Sequence, residues 1–204
     1  QAGIRDIGIV CGYFSEKLVT TGITRFFNPR WAQTNMVMSL VCAAEWLRED
    51  ACVVSYADIV YGKNSLISLI DDKADIAITY DPNWLDLWKV RFDNPLSDAE
   101  TFATDSESYL TEIGNRASSL DEIKGQYMGL LKFEPKGWEA VESYLDTLTT
   151  EKKDRLDMTS LLRALLHKFI KIKAVPISEQ WLEVDNENDL HVYEQMISRN
   201  EFVI

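Results

Sequence analysis

Apolar residues in this chain fall into short unbroken runs separated by longer stretches with helical spacing. Ile-Gly-Ile-Val-Cys over 7–11, closed by Gly12, predicts a buried strand, because a strand covered on both faces has no polar alternation. Asn28-Pro29 marks a turn. Thr34 then caps a predicted helix over 34–50, with Met36, Val37, Leu40, Val41, Ala44 and Leu47 at helical spacing. Residues 51–56 form the next apolar run, 65–71 a helix and 74–80 another strand. This alternation of strand and helix predicts a parallel sheet with right-handed crossovers.

The pattern changes over 81–98, a stretch rich in Trp, Asp, Pro and Asn that reads as an excursion over an active face. Residues 101–106 and 109–114 predict a β-hairpin, and 125–133 a strand. Helices follow over 137–148 and 158–169, the second with Met158, Leu161, Leu162, Leu165, Leu166 and Phe169 on one stripe. A late strand over 171–177, a helix over 188–199 and a short strand over 202–204 complete the chain. No repeat or linker interrupts it, so 1–204 is expected to be a single domain.

Composition narrows the function classes. The chain has 204 residues, 46% of them hydrophobic, and no low-complexity tract, which suits a packed core rather than disorder. No apolar run approaches the roughly 20 residues that span a bilayer, and no secretory signal opens the chain. A net charge of -12 argues against binding nucleic acid, whose phosphates are neutralised by Lys and Arg. A small anionic ligand stays compatible, since a divalent metal supplies local positive charge. Cys11, Cys42 and Cys52 are odd in number and lie in apolar contexts. They read as buried reduced thiols of a cytoplasmic protein, and no Cys or His cluster has zinc spacing.

Two acids stand out. Asp58 closes the run Ala51-Cys-Val-Val-Ser-Tyr-Ala-Asp58, where a strand gives way to a loop. Ligands of open α/β sheets bind outside the carboxyl ends of strands. Trp181-Leu-Glu-Val-Asp185-Asn186 repeats the arrangement of apolar residues, an acid and a helix. Two acids from distant segments would hold one hard cation between them. Each also reads, locally, as a turn or helix-cap residue.

These segments together resemble the sugar-phosphate type of nucleotidyltransferase. The resemblance is carried by Gln1-Ala-Gly-Ile-Arg-Asp-Ile-Gly-Ile-Val-Cys-Gly-Tyr13, by Asn28-Pro29 with Thr34-Asn35 and Ser39-Leu40, by Tyr56-Ala57-Asp58, and by Trp181-Leu-Glu-Val-Asp185-Asn186-Glu187-Asn188-Asp189-Leu190. Asn94-Pro-Leu-Ser-Asp-Ala-Glu100 and Gly125-Gln-Tyr-Met-Gly-Leu130 resemble the subgroup of cytidylyltransferases acting on phosphocholine or 2-aminoethylphosphonate. The order and spacing of the motifs are more specific than any one of them. The resemblance implies an α/β, Rossmann-like, mixed but mostly parallel sheet of the nucleotide-diphospho-sugar transferase type. It implies transfer of a cytidylyl group from CTP to a small zwitterionic phospho-acceptor, with release of pyrophosphate.

The resemblance also assigns roles. Asp58 and Asp185 would be the catalytic acids that hold Mg2+. Gly12, Asn35 and Ala57 would lie near the nucleotide. Trp84 would stack on a quaternary ammonium, Arg91 would grip a phosphonate, and Glu100, Gln126 and Tyr127 would line the acceptor side. The family opens with a strand and a glycine-rich phosphate loop that have no counterpart here. The expectation is therefore a domain without its first strand and helix, and weak or absent activity. The alternative is a non-catalytic binding fragment that self-associates, as a homodimer, through an open sheet edge. A metal-dependent glycosyltransferase shares the fold but usually carries paired acids, and position 56 is Tyr.

Overall fold

The computed structural model describes residues 3–18, 21–200 and 202. In chain order the elements are β1 (Gly8–Cys11), β2 (Thr24–Phe27), α1 (Met36–Val41), α2 (Ala44–Glu49), β3 (Cys52–Ser55), β4 (Ile59–Tyr61), α3 (Lys63–Asp71), β5 (Ile76–Asp81) and α4 (Trp84–Arg91). They continue with β6 (Glu100–Thr104), β7 (Leu110–Arg116), β8 (Gln126–Phe133), α5 (Pro135–Asp146), α6 (Thr150–Arg155), α7 (Met158–His167), β9 (Lys173–Pro176), β10 (Trp181–Glu183) and α8 (Glu187–Ser198). The expected strand over 202–204 lies largely outside the described residues.

The chain forms two compact units, one of 1–52 and 133–170 and one of 53–132 and 171–204. In the first, β1 and β2 pair in parallel, Gly8 opposite Thr24, and the helices supply the core. Val37 and Leu47 of α1 and α2, Trp138 and Val141 of α5, and Leu161, Leu162 and Leu165 of α7 are all buried. Met158, Leu161, Leu162 and Leu165 of the stripe read in 158–169 form the buried face of α7, whose N-terminus is capped by the Asp157 carboxylate accepting from the Ser160 amide at 2.7 Å. Leu166 is half-buried, and Phe169 is exposed rather than in the core, because the helix ends at His167 and Phe169 turns the chain with a φ of +60°. The helix expected over 34–50 is two short helices. The amides of Cys42 and Ala43 reach back only three residues, to Ser39 and Leu40, and this tightened turn separates α1 from α2.

The second unit is built on a four-stranded sheet of order β3-β8-β5-β9. β5 and β9 are parallel, Ile78 opposite Ala174. Ile76, Ala77, Ile78, Met128, Leu130 and Leu131 are buried, as their unbroken apolar runs require. The hairpin β6–β7 is antiparallel with two register irregularities. A separate antiparallel ribbon joins β4 to β10, pairing Trp181 with Tyr61 and Glu183 with Ile59. The excursion over 81–98 contains α4, whose Trp84 and Trp88 lie in the core of this unit with Trp181. No helix among the described residues is long and apolar enough to cross a membrane.

Candidate active site

The β4–β10 ribbon brings the two acidic motifs together. Beyond the Glu183–Ile59 pair, the Val184 amide donates to the Asp58 carbonyl at 2.9 Å. Asp58 and Asp185 therefore flank one end of the same ribbon, and both residues are exposed. Asp58 does not end a long strand. It sits in the bend between β3 and β4, with Ala57 exposed beside it. After Asp185 the chain turns directly into α8, capped by the Asn186 side chain accepting from the amides of Asn188 and Asp189 at 2.9 and 3.1 Å.

Glu183 lies between these acids and was not singled out in the sequence. Burial pushes its carboxyl up to about 7, helped by the charges of Asp185 and Asp58 and opposed by Arg91. An acid three residues from an N-cap Asn and two from a candidate metal ligand was the available signal.

Arg91 ends α4, and its side chain is 0% exposed. Its guanidinium meets Glu183 at 3.0 Å, Asp185 at 2.5 Å and Asp189 at 3.3 Å. Burial alone would lower its pKa, but Tyr193, Asp189 and Glu183 outweigh burial and hold it above the ordinary value. The expected role of gripping a phosphonate does not match this setting, because the guanidinium is enclosed and already faces three carboxylates. Asp189 is equally engaged, accepting from the Asp185 amide at 3.1 Å and the Asn186 side chain at 3.0 Å. The Tyr193 hydroxyl donates to the Glu183 carbonyl at 2.9 Å.

The residues expected on the acceptor side are mostly committed to packing. Trp84 is 4% exposed, its ring 5.7 Å from that of Trp88 in an edge-on arrangement, and its Nε1 donates to the Ile123 carbonyl. At this exposure, in the core of its unit, it offers no open indole face to a quaternary ammonium. The Gln126 amide is also taken up, donating to the Glu100 carbonyl at 2.6 Å and accepting from the Glu100 amide at 3.3 Å. Tyr127 stands edge-on to Tyr56 with ring centroids 5.9 Å apart, and burial, then Tyr56, pushes its hydroxyl well above the ordinary range. Asp81 accepts from the Asn83 amide at 2.7 Å and from Trp181 Nε1 at 3.0 Å, and burial raises its pKa against those bonds. Asp98 likewise accepts from Trp88 Nε1 at 3.0 Å.

Gly12 and Asn35 belong to the first unit. A side chain at Gly12 would run into the Trp31 ring. Asn35 caps α1, accepting from the Met36 amide at 2.7 Å, while its own amide donates to the Asp154 carbonyl at 2.7 Å. Asn28, read in the sequence as a turn marker, is 4% exposed and organises this corner. It donates to Thr34 Oγ1 and Ser39 Oγ at 2.9 and 3.0 Å.

The donor chemistry suits a small hard cation. Magnesium is commonly held by one or two carboxylates together with substrate phosphates, and Asp58 and Asp185 are the candidates for such a pair. No group of three or more His, Cys, Asp or Glu among the described residues forms a self-sufficient metal cage. A site of this kind would therefore be completed by a phosphorylated ligand.

The chain is 36% identical over 208 aligned residues to a CTP:phosphoglutamine cytidylyltransferase of Campylobacter jejuni, covering 94% of this chain and 82% of that protein. An inositol-1-phosphate CTP transferase from T. maritima superposes with a TM-score of 0.72 at 16% identity, over 99% of this chain and 80% of that one. A Bacillus anthracis structure described as a glucose-1-phosphate thymidylyltransferase in complex with a sucrose gives 0.71 at 13% identity, over 95% and 76%. No family model matches. The fold is that of the nucleotide-diphospho-sugar transferases, and the chain belongs to the sugar-phosphate-type nucleotidyltransferase family, among its cytidylyltransferases.

Proposed function

We propose that this protein is a magnesium-dependent cytidylyltransferase that joins CTP to a small phosphorylated acceptor bearing an amine or amide. The observation that carries this reading is the meeting of Asp58 and Asp185 at one end of the β4–β10 ribbon, in a chain 36% identical to an enzyme acting on phosphoglutamine. The enclosed Trp84 weighs toward a phosphoglutamine-like acceptor and away from phosphocholine, whose quaternary ammonium favours an accessible aromatic face.

In the proposed reaction an acceptor phosphate oxygen attacks the α-phosphorus of CTP. A new P–O bond forms, the bond from the α-phosphorus to the bridging oxygen breaks, and pyrophosphate leaves. Such a step needs positioning and charge neutralisation more than a protein nucleophile. Asp58 and Asp185 would hold the magnesium ion, which when bound neutralises the developing phosphate charge. Arg91 fixes the Asp185 carboxylate and offsets part of the local negative charge. Glu183 stays inside the ribbon, where it fixes the end of α4 through Arg91.

The experiment is a panel of CTP, UTP and TTP against phosphoglutamine, phosphocholine and 2-aminoethylphosphonate with Mg2+. Thermal shift reports binding, and pyrophosphate release with mass detection of the cytidylylated product reports turnover. A ligand at 100 times its Kd stabilises by about 2.7 kcal/mol. Stabilisation by CTP and not UTP, with a phosphoglutamine-derived product, supports the reading. Selective binding of UTP or TTP, or a product from phosphocholine alone, overturns it.

A further inference from the structure

We infer that Arg91 is a positioning residue for the candidate metal ligand Asp185, an inference that rests on the magnesium role proposed above for that acid.

Its side chain is 0% exposed while that of Asp185 is 48% exposed, and the two meet at 2.5 Å. One oxygen of a solvent-facing carboxylate is thus pinned from beneath by a buried guanidinium. A carboxylate held in this way presents its remaining lone pairs in a fixed direction, and partners of metal ligands commonly act by such orientation.

Arg91 has little freedom of its own. Its Nη1 faces Glu183 Oε2 at 3.0 Å, and its Nε and Nη2 face the two oxygens of Asp189 at 3.5 and 3.3 Å. The rings of Trp88 and Phe92 flank it with centroids at 5.4 and 5.0 Å. Asp189 Oδ2 also accepts from the Asp185 amide at 3.1 Å, so the backbone and the carboxylate of Asp185 are fixed by one network.

Charge balance separates this arrangement from an ordinary buried ion pair. One carboxylate suffices to neutralise a guanidinium, yet Arg91 faces both Asp185 and Asp189, with the Glu183 carboxyl as a third partner. The excess negative charge is costly in a partly buried site. A divalent cation at the exposed side of Asp185 offsets it. The planar fork of arginine spans several carboxylates at once, and the point charge of lysine does not.

The test is Mn2+ binding to the metal-free protein with CTP present, since a phosphorylated ligand completes the site, followed by electron paramagnetic resonance, for wild type, D185N, R91K and R91M, each with its melting temperature. D185N is expected to weaken Mn2+ binding strongly, and R91K to weaken it about 10- to 100-fold while keeping the fold. R91M is expected to lose at least as much, and where it does not fold, R91K decides. If D185N weakens binding and R91K binds Mn2+ as wild type does, the inference fails while the metal role of Asp185 stands. If wild type takes up no Mn2+, or D185N binds it unchanged, the metal role fails and the inference with it. A merely structural Arg91 would lower the melting temperature of R91K and leave its Mn2+ affinity untouched.

Discussion

The amide of Val184 donates to the carbonyl oxygen of Asp58 at 2.9 Å, and this backbone bond sets the position of both candidate metal ligands. It lies just beyond the Glu183–Ile59 pair of the ribbon, so a slip in register would carry Asp185 away from Asp58. The site thus depends on a three-residue pairing between segments far apart in the chain.

Removing either carboxylate separates chemistry from folding. Asp58→Asn and Asp185→Asn are expected to lower pyrophosphate release from CTP by about 100-fold or more, since each loses a ligand rather than an outer partner. Asp58 is exposed, so the melting temperature of its variant should move by no more than about 1–2 °C. Turnover close to wild type in Asp58→Asn would exclude it as a ligand.

Trp84 answers to the core. Its indole is 4% exposed and packs with Trp88 and Ile123, so Trp84→Ala is expected to destabilise by about 3–5 kcal/mol. Trp84→Phe, which keeps much of the volume, should recover most of that loss and leave the acceptor KM within about threefold of wild type. Denaturant melts and steady-state kinetics on the two variants check this. A large rise in acceptor KM at unchanged stability would return Trp84 to the binding surface.

Gly129 combines two requirements. Its φ is +79°, and a Cβ there would lie 2.6 Å from atoms of the Tyr56 ring. Gly129→Ala therefore costs the left-handed conformation, about 1 kcal/mol, plus displacement of Tyr56. The expected loss is about 2–4 kcal/mol. Because Tyr56 stands edge-on to Tyr127, a tyrosine fluorescence change should accompany the lower stability. A melt equal to wild type would show that Tyr56 moves aside freely.

The sequence disclosed the elements whose pattern is local. β5 and β8 carry the short apolar runs Ile76-Ala-Ile78 and Met128-Gly-Leu-Leu131, and α7 carries its stripe behind an Asp157 cap. β4 and β10 escaped notice because three residues show no usable alternation, and their pairing is a tertiary event. α4 is the eight-residue Trp-Leu-Asp-Leu-Trp-Lys-Val-Arg, whose apolar Leu85, Leu87 and Val90 lie off the Trp84–Trp88 face, so no clean amphipathic stripe marked it as a helix. Asp58 and Asp185 stood out in the sequence by strand-end placement and family order, and the ribbon brings their segments side by side. Arg91 was visible as a residue, but its partners come from a segment far along the chain, and a guanidinium reads alike whether it faces a ligand or three carboxylates.

Glu183 gives the site a pH dependence that can be measured without substrate. In the folded, metal-free protein its carboxyl titrates near 7 in place of 4.5, chiefly because it is buried and secondly because Asp185 is negative. Below the unfolded value both states hold the proton, and the group's contribution is fully favourable. As pH rises from 4.5 through 7, the unfolded chain releases its proton first, and the contribution is lost. The loss is on the order of 3 kcal/mol. Glu183→Gln carries no titrating group, so the stability difference between wild type and this variant should shift against wild type over that interval and level off above it. Urea melts of both proteins at several pH values, in chelator, make the comparison. A difference that stays constant with pH would mean that Arg91 compensates the carboxylate fully and that Glu183 is ionised throughout.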